Sequence, residues 1–482
     1  MRQITEQQIL AFAPNPAAAA NGRKLSQKDS FVRRERSADD TFYLGECTGS
    51  GKNNYITTAD FLTAVSPVFR CSCPSRQFPC KHSLALLYEI LAQKNFAVCE
   101  IPEDIIKKRE KKQARDAKAK ETKESAEAIK PPSVSKAAKT ARAKKWKKQL
   151  EGLELVRQMV FDLVNAGVGT IGGTALPAYR QLSKQLGDYY LPGPQRLLNR
   201  LTLEIEAFQK DADERHYETA IDTLQRLWAL VKQAKQYLTD RLEADSMEQE
   251  PNPLYEELGG IWKLSELAAA GNSKKDRELI QAAFWVVYDE ARKEFIDTGC
   301  YVDLETGEVC LTHNYRPLKA LKYVAQEDTR FGVMQVPEAC FYPGEGNRRV
   351  RWEGFKLRAV TAGDLERLRS FANADLAVEA KTAKNYLKNA LAAPMLLRLI
   401  SYEEIGLADA GPVLRTRDGK TILLGDMPGL EATTERLFLL PDGSLLKGQI
   451  LLGAFYYDKR TRRLMLKPVS IVTQTNLIRL LY

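Results

Sequence analysis

The sequence predicts a multidomain α+β protein. It should have a small N-terminal ββα-like domain, a basic linker, a helical middle domain and a C-terminal antiparallel β-rich domain with a helical insert. Three observations carry that expectation. Three of the eight cysteines and one of the three histidines fall within "CSCPSRQFPCKHS", residues 71 to 83, between a strand-like and a helix-like run. The whole net charge of +10 is concentrated in one segment rich in Lys, Ala and Glu. After that segment the hydrophobic period is first helical and then, from about residue 298, strand-like with hairpin signals. A length of 482 residues suits about three domains, at about 150 residues each.

Residues 1–100 form the first expected domain. "TEQQ", Thr5 to Gln8, reads as a capping box that opens a short helix. The apolar run "ILAFA" stops at Pro14 and is too short for a secretory signal. No stretch approaches the roughly 18 consecutive apolar residues of a membrane span. The expectation is no membrane association and a cytoplasmic location, where cysteines stay reduced. "FYLGECTGSGKNNYITTADF", residues 42 to 61, reads as two strands joined through "GSGKNN". "SPVFRCSC" reads as a further strand ended by Pro74, and Cys71 and Cys73, two apart, would face one side of it. Cys80 and His82 precede "SLALLYEILAQ", where Leu84, Leu87, Tyr88 and Leu91 recur at helical spacing. The loop "PSRQFP" would fold that helix back over the strand.

Four soft or borderline donors would then converge, the number zinc prefers. A Cys71–Cys73 disulfide would close a strained ring and leave Cys80 unpaired. A cluster of inert core cysteines would not explain the histidine. Three thiolates and a neutral imidazole around Zn²⁺ carry a net charge of −1. Arg70, Arg76 and Lys81 beside the ligands would offset it, and the helix N-terminus favours thiolate. The expectation is one structural Zn²⁺ on Cys71, Cys73, Cys80 and His82. It would replace a hydrophobic core that so small a domain cannot supply. Cys47 reads as a buried strand residue and not as a fifth ligand.

The C-x-C…C-x-H pattern, with its first pair on a strand and its second opening a helix, resembles the SWIM zinc finger. Residues 1 to about 97 are similar to the N-terminal part of bacterial SWIM zinc-finger proteins, including the opening helix and "APNPAAAANGRKL". The resemblance implies zinc ligation by Cys71, Cys73, Cys80 and His82, and interaction with proteins or DNA. Such proteins resemble companions of MoxR-type ATPases and von Willebrand A-domain proteins, which implies an adapter in an ATPase-driven assembly. Beyond residue 150 the resemblance thins to general layout.

Residues 101–148 read as a basic flexible linker. Residues 101 to 150 hold 17 Lys and Arg against 7 Asp and Glu, and the rest of the chain is balanced. After Ile106 the segment lacks the apolar material to offset chain entropy. Its first half suits a solvated helix with Glu/Lys pairs, broken at Pro131-Pro132. A contact with nucleic acid is the alternative reading of this charge, weak and nonspecific. The neutral globular parts are expected to lack the basic face that positions a duplex.

Residues 149–297 read as the helical domain, with amphipathic stretches such as "WKKQLEGLELVRQMVFDLVNAG" and "YETAIDTLQRLWALVKQAKQYLTDRLEAD". "SKKDRELIQAAFWVVYDEARKEFID" reads as a further helix, and Trp228, Trp262 and Trp285 as core. Residues 298–482 read as the β-rich domain, with hairpin signals "ETGE", "RDGK" and "PDGS" and a helical insert at roughly 363 to 398.

Two glycine motifs fail on context. "GVGTIG", residues 167 to 172, follows an amphipathic helix where a dinucleotide fingerprint needs a strand. "GSGK", residues 49 to 52, has Glu46 at the required earlier glycine and Asn53 at the Mg²⁺-binding hydroxyl position. His216 reads as solvated or locally paired. His313 lacks partners for a second metal site, although Cys310 is close in sequence. No catalytic spacing stands out. The functional expectation is a non-enzymatic zinc-binding adapter or scaffold. The alternative is a nucleic-acid-binding protein that uses the zinc domain and the basic linker.

Overall fold

The computed structural model describes residues 4–14, 16–48, 54–61, 67–75, 79–103, 136–167, 175–244 and 251–482, with Arg2, Ile105, Ile106 and Arg109. The chain divides into two compact units, Met1–Ser133 and Val134–Tyr482.

In the first unit, Glu6–Phe12 (α1) opens on the expected capping box. The Thr5 hydroxyl accepts the Gln8 N–H, and the Gln8 side chain accepts the Thr5 N–H. Pro16–Gln27 is α2. Five strands follow: β1 Phe31–Ser37, β2 Phe42–Cys47, β3 Tyr55–Asp60, β4 Val68–Cys71 and, after α3 (Lys81–Leu91), β5 Ala97–Cys99. They lie in the order β4-β3-β2-β1-β5, antiparallel except where β5 joins β1. Residues 49–53 of the "GSGKNN" turn lie outside the described residues; its last residue, Asn54, donates to the Glu46 side chain at 2.9 Å. Helix α3 packs against β2, β3 and β4 and is covered by α1 and α2. That double cover explains why His82 through Ile90 are all buried.

The first unit is therefore more than the expected ββα arrangement. It has a core of its own, including Ile9, Phe31, Tyr43, Leu84, Leu87 and Phe96. A metal here adds to a hydrophobic core and does not substitute for one. Helix α2 approaches α3 closely at Gly22, where a Cβ would stand 2.9 Å from Leu84 Cβ and 3.1 Å from the Lys81 carbonyl oxygen. The fully buried Glu89 of α3 is paired with Arg34 of β1 at 2.5 Å and accepts the Ser26 hydroxyl of α2. One carboxylate thus ties helix, sheet and second helix together.

The segment expected as a linker is structured at both described ends. Ile105 is buried, and Arg109 reaches back to the buried Asp60 at 2.8 Å and to the Thr41 carbonyl at 3.1 Å. At the far end, Lys136 to Lys148 are the opening turns of a 31-residue helix, α4 (Lys136–Ala166). Residues 110–135, with Pro131 and Pro132, lie outside the described residues.

The second unit begins with α4, followed by α5 (Ala175–Asp188), α6 (Pro192–Asp211) and α7 (Glu214–Glu243). Leu153, Val156, Val160 and Leu163 of α4 interlock with Leu198, Leu201, Leu227 and Val231 in one apolar cluster, as the helical period predicts. Gly167, at φ 83°, ends α4; residues 168–172 of the glycine motif lie outside the described residues. Two short helices, α8 (Leu254–Glu257) and α9 (Leu264–Ala269), lead into the sheets.

Here the helical expectation for 273–297 is wrong. Ser273–Asp289 is a long strand, β6, and Glu294–Asp303 is its antiparallel partner β7, so the expected domain border at 297 falls inside a strand. Residues 279 to 285 are buried without a break, and a strand covered on both faces gives no alternating pattern to read. Trp285 is core as expected, though on a strand; Trp262 is fully buried and Trp228 packs partly buried on the helical cluster.

β8 (Val309–Pro317), β9 (Val333–Phe341), β10 (Val350–Arg351) and β11 (Lys356–Arg358) complete the first large sheet, ordered β10-β9-β6-β7-β8 with β11 on β9. The insert is α10 (Ala362–Ser370) and α11 (Leu376–Leu387). It is followed by β12 (Met395–Ser401), β13 (Glu404–Ala408), β14 (Gly411–Arg415), β15 (Thr421–Leu423), α12 (Thr434–Phe438), β16 (Ile450–Asp458), β17 (Arg463–Val472) and β18 (Leu477–Arg479). The sheet β12-β16-β17-β18 faces the first large sheet across a shared core that includes Ile280, Val302, Leu397, Leu452 and Val469. "ETGE" and "RDGK" are hairpin turns, with Gly307 at φ 71° and Gly419 at φ 80°. "PDGS" is not. Asp442 accepts the Ser444 N–H at 2.8 Å and starts a 3₁₀ turn over Gly443–Leu446. The hairpins β6–β7 and β16–β17 are built alike. Each has four loop residues, the last in the left-handed region (Lys293 φ 53°, Arg462 φ 55°), and a bulge in the ladder. Among the described residues, no helix is long and apolar enough to cross a membrane.

Candidate metal centre

β4 delivers Cys71 at its last residue, opposite Thr57 of β3. The chain stays on the sheet edge for one residue more. The Ser72 N–H donates to the Ile56 carbonyl, and its hydroxyl accepts the Ile56 N–H, both at 3.0 Å. Cys73 follows in a bend and not on the strand itself. Cys80 is the N-cap of α3, in an extended conformation (φ −76°, ψ 168°), and His82 stands in the first turn. Cys80 and His82 are buried, while Cys71 and Cys73 are half-buried.

The four ligand atoms lie within 4.8 Å of one another. His82 presents Nδ1, 4.0 Å from the Cys71 sulfur and 3.9 Å from the Cys80 sulfur. A tetrahedral zinc with Zn–S of about 2.3 Å and Zn–N of about 2.0 Å sets such edges at about 3.6 Å, so a small contraction closes the site. The His82 ring is held at its back by Tyr55, with ring centroids 4.9 Å apart.

The Cys71 and Cys80 thiols act as one acid. The Cys71 S–H hydrogen-bonds the Cys80 sulfur, with further support from His82 and Ser83, so Cys80 ionises far below the ordinary thiol range. Cys71, as the donor, holds its proton correspondingly longer. Behind Cys80 is a buried hydroxyl pair. Ser83 Oγ lies 3.4 Å from the Cys80 sulfur and 3.1 Å from Thr57 Oγ1, and Thr57 donates to the Arg70 carbonyl at 3.2 Å. Sequence reasoning missed both hydroxyls. Ser83 had a signal, standing next to a ligand in a helix's first turn; Thr57 had none.

The charged neighbours are deployed differently from the expectation. Arg70 leaves β4 on the face opposite Cys71 and pairs with Asp60 at 3.7 Å, on the carboxylate that also holds Arg109. It is not an offset for thiolate charge. Lys81 is exposed at the start of α3, and Arg76 lies outside the described residues. The α3 N-terminus and the Ser83 hydroxyl are what the sulfurs meet instead.

Cys47 is fully buried at the end of β2, where burial pushes its thiol up to about 11. That is the behaviour of a packed residue and not a fifth ligand. His216 is paired locally, with Nδ1 2.8 Å from Glu204, whose hydrogen bond raises its pKa. His313 Nδ1 lies 3.2 Å from the Tyr315 hydroxyl of its own strand. Among the described residues, Cys71, Cys73, Cys80 and His82 are the one group of three or more Cys, His, Asp or Glu side chains close enough to hold a metal. Three thiols and an imidazole, with no further position needed to complete a tetrahedron, fit a structural zinc ion.

The model of the SWIM zinc finger family matches residues 70–91, the span that runs from the end of β4 through α3. No curated protein and no solved structure is significantly similar to the chain.

Proposed function

Proceeding from a SWIM zinc finger at residues 70–91, we propose that this protein is a non-enzymatic, cytoplasmic adapter whose zinc domain shapes a surface for a protein partner. The closed donor set carries the reading. Four protein ligands fill a tetrahedron at the edge of a domain with its own core. Such a metal has no position left for substrate, so its work is to fix the β4–α3 junction. The partner class suggested by the family resemblance is a MoxR-type ATPase or a von Willebrand A-domain protein. The basic segment supports nucleic-acid binding as the second reading.

The full chain, tagged and recovered from its own cell extract with and without nuclease, separates the two. The adapter reading expects a stoichiometric protein companion that survives nuclease and physiological salt. Recovery of nucleic acid, with every companion lost on nuclease treatment, would replace it with the second reading.

A further inference from the structure

The second unit contains a cleft of about 1920 Å³ between α6, α7, α11 and the β16–β17 hairpin. Its walls are basic. Helix α11 contributes Lys381 and Lys384 and its C-cap Lys388, the hairpin contributes Lys459, Arg462 and Arg463, and α6 contributes Arg196 and Arg200. The acidic lining is Asp222 and Asp289, and Asp222 is paired with Lys459. The globular parts are expected to lack the basic face that positions a duplex, yet they gather cations in this concave cleft. Their charges balance overall, but three segments distant in sequence bring cations to one place. Lys381, Lys384, Arg462 and Arg463 are exposed and have no carboxylate within ion-pair distance among the described residues.

The floor is different. It is made by Leu376, Ala380 and Leu387 of α11, Leu423 of β15 and Leu464 of β17. Small-molecule pockets run to about 1,000 Å³, so this volume suits a polymer segment. It equals about four turns of a helix of about 10 Å diameter. A single nucleic-acid strand needs aromatic platforms for its bases, and the lining offers one aromatic residue, Tyr457. An apolar floor between cationic walls complements a helix with an apolar stripe and acidic flanks.

We propose that this cleft docks an acidic amphipathic helix of a partner protein. The proposal rests on the adapter reading and names the partner's chemistry. The two can fail separately. A companion that still copurifies with a cleft-reversed variant removes this proposal and leaves the adapter.

The test uses the full chain and a fluorescent peptide of about 18 residues, with Leu at i, i+3, i+4 and i+7 and Glu elsewhere. A matched Ser-for-Leu peptide and a poly(U) strand serve as the comparison probes. Saturable binding of the Leu/Glu peptide is expected, weakened about tenfold or more by the Lys381→Glu/Lys384→Glu double variant and by the Ser peptide. Arg463→Glu on the opposite wall should act alike, and it keeps the test open if the double variant misfolds by circular dichroism. No saturable binding, equal binding by the charge-reversed variants, or equal binding of the Ser peptide would each overturn the proposal. So would poly(U) binding that exceeds the peptide's and is lost in the double variant, which would assign the cleft to nucleic acid.

Discussion

Ser83 places its hydroxyl 3.4 Å from the Cys80 sulfur, backed at 3.1 Å by Thr57. Thr57 gives its own proton to the Arg70 carbonyl, so Ser83 is the donor of the pair, and a metal-bound thiolate, an acceptor only, competes with the Thr57 oxygen for its proton. A donor of this kind stabilises a metal-bound thiolate and fixes its direction. Ser83→Ala should weaken zinc retention about tenfold in a chelator competition, at the lower end of outer-contact effects, with the far-ultraviolet spectrum unchanged. Unaltered competition would mean that the hydroxyl pair only fills space.

The close crossing of α2 and α3 gives a stability prediction. Gly22→Leu would drive a side chain into Leu84 and the Lys81 carbonyl, where even a Cβ stands at 2.9 Å and 3.1 Å. Overpacking of this kind costs about 1–3 kcal/mol. Chemical denaturation should show that loss in the first unit's transition, with the helix signal retained. An unchanged midpoint would mean that the helices separate without cost.

A buried lysine gives a pH prediction in the second unit. Lys467 is fully buried and donates to Asp426 at 2.9 Å, to the Glu431 carbonyl at 2.6 Å and to Thr433 Oγ1 at 3.0 Å. Burial pushes the Asp426 carboxyl up, but the Thr433 N–H and the Lys467 ammonium outweigh it and hold it below the ordinary range. A depressed carboxyl contributes stability above its unfolded pKa of about 3.9 and loses it as pH falls through the folded value. Asp426→Ala should cost about 3 kcal/mol at neutral pH by leaving a buried cation without its carboxylate. Urea titrations should show the gap to wild type narrowing below about pH 4. A gap that stays constant into acid would show that the carboxylate's charge is not what matters.

Proteolysis tests where the two units are joined. The composition of residues 110–135 predicts that trypsin cuts first at the lysines from Lys111 to Lys130. Arg109 should resist because Asp60 holds it, and Lys139 to Lys148 because they are within α4. Mass spectrometry of the first fragments decides this. Early cuts inside α4 would mean that its opening turns are not helix in solution.

The metal centre was legible because its chemistry is local. Cys71, Cys73, Cys80 and His82 fall within twelve positions, and a strand and a helix flank them. What surrounds it was not. β1, "FVRRERS", has four charged residues in seven, Arg34 among them turned inward to Glu89, and so shows no apolar alternation to read. Only its pairing with β2 and β5 makes it a strand. β6 failed for the opposite reason, since both of its faces are covered between Leu279 and Trp285 and its apolar run fits a helix equally well. "PDGS" carries hairpin letters, but the Asp442 side chain captures the Ser444 N–H before a hairpin can form. The basic cleft was hidden by arithmetic, because neutral totals conceal where charges converge in space.

Metal analysis of gently purified full-length protein tests the central claim most directly. The account predicts one zinc per chain in the wild type. It predicts zinc lost from Cys80→Ser and weakened in His82→Ala, with the second unit's melting transition unchanged in both. Wild-type protein that carries no zinc and folds its first unit without it would contradict the account.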